Sequence, residues 1–171
     1  MVKKTIKALK QRLWENNDVI EVYKGNGEVG FVTCTFYEGL VEEAIHQFEQ
    51  KHTYVMPKDY REFLKETNGC RLFESTIEEK SIVLYSLEDL EGQCSEGCMI
   101  IGTLNDKEVL LRREEASEHS VIIKSKYEPV EQAVNLHMTF EQWFDRLIMS
   151  QGNLFWTWSV QLIPVRIKRF Q

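Results

Sequence analysis

Residues 40–73 read LVEEAIHQFEQKHTYVMPKDYREFLKETNGCRLF, and they contain two helical periods. In the second half, Pro57 suits a first helical position, because its ring presets a helical φ and its missing N–H would have no intrahelical acceptor. Asp59 then falls in the first turn, where the positive end of the helix dipole favours a carboxylate. Tyr60, Phe63, Leu64 and Thr67 follow the i, i+3, i+4, i+7 spacing of one buried face. Asn68-Gly69 closes the period, since glycine accepts the left-handed conformation that ends a helix. In the first half, Leu40, Val41, Ala44, Ile45 and Phe48 make a second apolar face. Two helices joined by a short Pro-started link should therefore pack on a common core, and no catalytic residue is needed for it.

On the N-terminal side, Val2, Ile6, Leu9 and Leu13 form an apolar stripe among lysines, which predicts a first helix over 2–15 stopped by Asn16-Asn17-Asp18. VIEVY (19–23) and VGFVTCTF (29–36) read as strands around the turn Lys24-Gly25-Asn26-Gly27. On the C-terminal side, strands are expected at Arg71–Ser75, Ser81–Tyr85, Cys98–Leu104, Lys107–Leu111 and Val121–Lys124. Between them lie a polar connection (76–80), a helical turn at SLEDL (86–90) capped by Ser86, a flexible loop at Gly92–Gly97 and a charged link (112–120). Asn105-Asp106 is the tight turn of a hairpin. A last helix starts at Thr139, with Gln142 in capping-box position, buries Phe140, Trp143, Phe144, Leu147 and Ile148, and stops at Gly152-Asn153. The class that follows is α+β: a mostly antiparallel or mixed sheet packed with three to four helices. One domain is expected over 1–158. The basic segment 159–171 (SVQLIPVRIKRFQ) reads as an edge strand broken by Pro164, a flexible arm, or a sequence foreign to the domain.

The set Ile45, Phe48, Glu49, Pro57, Asp59, Tyr60, Phe63, Leu64, Asn68 and Gly69 resembles the SUKH superfamily, with TFEQWFDRLI as its closing helix. That superfamily groups bacterial immunity proteins, which neutralise toxins, with a yeast cell-wall synthesis regulator and some viral proteins. Met56 stands where the family usually has leucine, and Cys70 where glycine often follows Asn-Gly. The resemblance implies a SUKH-like domain acting as an immunity protein against a cognate toxin, with a nuclease as the expected target. An intracellular regulatory scaffold of the same fold and a small enzyme with a non-obvious site are the alternatives. The resemblance carries over no toxin-binding residue.

Composition sets limits of its own. At 171 residues with 43% hydrophobic and 28% charged side chains, the chain has an ordinary globular profile. The formal net charge is −6; removing the three cations of 159–171 leaves 18 bases against 27 acids, or −9, for the rest. Such a body does not suit direct nucleic-acid binding, which needs phosphate neutralisation, and suits a basic protein partner. An acidic surface also simply keeps a protein soluble. The acids chosen by charge density for partner binding are Glu78, Glu79, Glu88, Asp89 and Glu91. No apolar run reaches the roughly 18 residues of a membrane span, and the start has no signal-peptide h-region, so a cytoplasmic protein without membrane contact is expected. A homo-oligomer is compatible with all of this.

The chemistry-bearing residues point to no reaction. Gly25, Gly27 and Gly30 spell G-x-G-x-x-G, but they lead into a strand and not a helix N-terminus, so no phosphate site is expected. Cys34, Cys70, Cys94 and Cys98 should be reduced thiols; Cys94-x3-Cys98 lacks the two further ligands that zinc needs. The carboxylate pairs Glu42-Glu43, Glu78-Glu79, Glu88-Asp89 and Glu114-Glu115 are adjacent in polar segments, as solvated surface is. His119 and His137 lie in or beside loops. No catalytic residue, cofactor or metal is therefore assigned.

Overall fold

The computed structural model describes residues 1–23, 27–75, 77, 81–95, 97–112 and 120–158. The basic first helix, α1 (Val2–Glu15), buries Val2, Ile6, Leu9 and Leu13 and leaves its lysines exposed. Asn17 and Asp18 turn the chain with positive φ values of 54° and 62°, which short polar side chains tolerate. The hairpin follows as β1 (Ile20–Tyr23) and β2 (Val29–Phe36), in the register Ile20 to Val32 through Tyr23 to Val29.

The helix pair is α2 (Glu42–His52) and α3 (Lys58–Glu66), each somewhat shorter than its apolar period. Val41 caps α2 in an extended conformation and is 70% exposed, so it is not on the buried face expected for it. Pro57 is likewise the cap of α3, with ψ 145°, and not its first helical residue. Thr67 is buried but extended, because its hydroxyl donates to Tyr37 O and Gly69 O instead of continuing the helix. Gly69, at φ +83°, leads into the sheet: a Cβ there would stand 2.7 Å from Leu84 O and 2.8 Å from Ser86 N. Its glycine requirement thus comes both from the left-handed φ expected of it and from packing against the next strand.

The remaining elements are β3 (Cys70–Ser75), β4 (Ile82–Leu84), β5 (Cys94–Ser95), β6 (Cys98–Leu104), β7 (Lys107–Arg112), β8 (Ser120–Ser125), β9 (Val134–Asn135) and α4 (Phe140–Met149). Short 3-10 turns occupy Val130–Gln132 and Phe155–Thr157. The expected loop at 92–97 contains β5, and β9 has no counterpart in the sequence reading; two-residue strands are too short to show a period. SLEDL forms the expected helical turn, closed by the Leu90 N–H bond to Ser86 O at 3.1 Å. The sheet order is β1-β2-β3-β4-β6-β7-β8-β9 with β5 also on β6, and every described pairing is antiparallel.

All four helices lie on one face of this sheet. Ile6, Ile45, Tyr60, Phe63, Leu64, Phe140 and Trp143 share one core with Ile20, Leu72, Leu84, Ile101, Val109 and Ile123. Phe140 lies edge-on to Tyr60 and Phe63 at 5.0 and 5.2 Å, contacts contributing roughly 0.5–1.5 kcal/mol each beyond the area they bury. The Met1 amine meets Glu141 at 3.0 Å and Thr5 Oγ1 donates to Asp145 at 2.8 Å. Both pairs are 140 residues apart, so α1 and α4 run parallel. On the opposite face, Cys98, Leu110 and Ile122 form a smaller cluster with Ile100, covered by Val130 and Ala133.

Candidate interaction surface

The turn that follows β4 carries three of the five acids singled out for partner binding. Leu87 and Leu90 are buried and pin it to the core, while Glu88, Asp89 and Glu91 are exposed. Ser86 Oγ donates to Asp89 Oδ2 at 2.8 Å and accepts the Asp89 N–H at 3.2 Å, as its expected capping role requires. Asn68, just beyond the end of α3, braces the turn: its Oδ1 accepts the Leu87 N–H at 2.7 Å and its Nδ2 donates to Glu88 Oε2 at 3.0 Å. Glu88's own backbone N–H, followed by the Asn68 amide, holds the Glu88 carboxyl below its ordinary range. Lys51 of α2 reaches Glu91 at 2.5 Å and lowers that carboxyl too. A groove of about 290 Å³ between α2 and the turn is lined by Ala44, Phe48, Lys51, Leu87, Glu88 and Glu91. Glu78 and Glu79 lie outside the described residues, as do Glu114, Glu115, His119, Gly25 and residues 159–171.

The same end of the molecule gathers further acids. Asn68 N–H donates to Glu38 O at 3.1 Å, and Tyr37 N–H to Gly69 O at 3.5 Å, so segment 37–43 runs beside the turn. It presents exposed Glu38, Glu42 and Glu43 with Tyr37 and Val41 among them.

The other motif residues hold the scaffold. Ile45, Phe48, Tyr60, Phe63 and Leu64 are core, and Pro57 is buried. Glu49, only 7% exposed, accepts the Met56 N–H at 2.8 Å and pairs with Arg61 at 2.6 Å, tying α2 to α3. Arg61 also grips Glu42, which Lys65 approaches at 3.2 Å; the two cations hold the Glu42 carboxyl below its ordinary range. Asp59 accepts the Glu141 N–H at 2.8 Å and so joins the starts of α3 and α4.

The cysteines are arranged against joint chemistry. Cys94 pairs in register with Met99, which faces the main core, while Cys98 belongs to the cluster on the opposite face. Their thiols therefore point to opposite sides of the sheet. Burial pushes the Cys34 thiol up to about 11. Among the described residues, no three His, Cys, Asp or Glu side chains come together as metal ligands. No described helix is long and apolar enough to cross a membrane.

A two-layer α+β domain with helices on one face, an exposed acidic turn and a motif spent on packing is the class of protein these features define. Residues 39–146 match the SMI1 / KNR4 family (SUKH-1), and the chain belongs to that family. It is similar to two uncharacterized proteins of Bacillus subtilis (strain 168). YobM is 26% identical over 92% of this chain and 91% of its own; YnaB is 27% identical over 72% and 87%.

Proposed function

We propose that the chain is an immunity protein that binds a cognate bacterial toxin in the cytoplasm, with a nuclease domain the expected target, and neutralises it by stoichiometric association. The observation that carries this reading is the acidic turn Glu88, Asp89 and Glu91, braced by Asn68 in a member of the SUKH-1 family. Exposed carboxylates complement the cationic groove with which a nuclease holds phosphates, and occupancy of that groove needs no chemistry from the inhibitor. The test is affinity capture of the tagged chain from its source cells, followed by activity assays on the purified partner. The expected outcome is a 1:1 complex in which toxin activity is abolished. Replacing Glu88, Asp89 and Glu91 together by lysine should slow association at least tenfold. A captured partner with toxin activity that the chain leaves intact would overturn the reading.

A further inference from the structure

Between the parallel helices α1 and α4 runs a groove of about 590 Å³. Ala8 and Leu9 give it one apolar wall, Ile148 and Met149 the other, and Met149 is 77% exposed. Met149 also lines a hollow of about 300 Å³ with Phe155 and Trp158, so the two spaces adjoin at the end of α4. Trp158, 63% exposed, is the last described residue, and the chain that follows it starts at the mouth of the groove. Lys4 and Arg12 edge the groove, whereas its one carboxylate, Asp145, already accepts the Thr5 hydroxyl at 2.8 Å. An occupant must therefore bring apolar side chains without positive charge among them.

We propose that residues 159–165, SVQLIPV, fill this groove as a clasp that ties the end of the chain to α1. Val160, Leu162, Ile163 and Val165 supply apolar side chains, and the first charge comes only at Arg166. Pro164 disfavours a helix through it and steers Ile163 to an extended backbone. Seven extended residues span about 23 Å. The α1 wall from Met1 to Arg12 is about 17 Å long, so the uncharged stretch alone covers it and Arg166, Lys168 and Arg169 fall beyond its end. What favours this occupant over one from another molecule is its tether. A short flexible link holds a segment at an effective concentration on the order of millimolar. A second copy, or an acidic apolar peptide that the same walls would accept, competes only at comparable concentration.

The test places a photocrosslinking phenylalanine analogue in the full chain at Lys4, which edges the groove, and as control at the exposed Trp14 of the same helix. The expected result is an intrachain crosslink from position 4 into 159–165, and none from position 14. Its yield should hold under tenfold dilution and in 500 mM salt, since apolar side chains and not the cations of 166–169 seat the segment. Leu162→Asp combined with Ile163→Asp should cut that yield at least tenfold, with far-UV circular dichroism unchanged. Illumination in the source cells should give the same intrachain product. A crosslink between copies, an adduct with another protein in its place, or equal labelling from both positions would overturn the proposal. So would a yield that salt lowers, a less than threefold loss in the double variant, or no crosslink into 159–165.

Discussion

Glu49 shows how one buried charge sets a local geometry. With both oxygens committed, one to the Met56 N–H and one to Arg61, it fixes how the link from α2 enters α3. Removing Arg61 leaves that carboxylate buried without its counter-ion, so Arg61→Ala should cost about 3 kcal/mol, readable as a lower urea midpoint. Glu42, its exposed neighbour, makes a prediction about pH. Its carboxyl lies below the ordinary range when folded, so its stabilisation is complete above the unfolded value near about 4.3 and is lost as pH falls through the folded one. Urea midpoints measured from pH 6 downward should therefore fall, and Glu42→Gln should flatten the decline. Cys34 gives a third: with its thiol near about 11, alkylation by iodoacetamide at pH 8 should be slow until the chain unfolds.

At the scale of elements, α4 has the most complete local signature. Thr139 accepts the Gln142 N–H and the Gln142 side chain returns to the Thr139 N–H, as TFEQ led one to expect. Thr139→Ala should cost about 1 kcal/mol by thermal unfolding. The four helices, the hairpin and the caps at Thr139 and Ser86 were legible because each rests on near neighbours in the chain. The ends of α2 and α3 were not, since Val41 and Thr67 continue an apolar period while their backbones are pulled out of the helix. At Thr67 the cause is hydroxyl bonding to Tyr37 O and Gly69 O. In the sequence Asn68 has the place of a helix stop; its work is to brace the acidic turn nineteen and twenty residues away, and no local signal carries that.

For the whole molecule, charge is the feature that function would use. Association driven by the acidic turn should slow at least tenfold between about 10 mM and 500 mM salt, as the Debye length shrinks from roughly 30 Å towards 4 Å, while dissociation changes little. Stopped-flow association with the purified partner measures this. The composition and charge balance, the α+β class, the family motif and the acids of the 86–91 turn were all available from the order of residues, because propensity, capping and periodicity act within a turn or two of the chain. The alternation in VIEVY likewise separates two sets of side chains. Which set meets the helices and which meets solvent depends on where α1 and α4 lie over the sheet, and those two helices are joined to each other by contacts made 140 residues apart. Tertiary structure alone therefore placed Cys94 and Cys98 on opposite faces, set Asn68 against Glu88, and left Tyr23, Val29 and Phe31 uncovered.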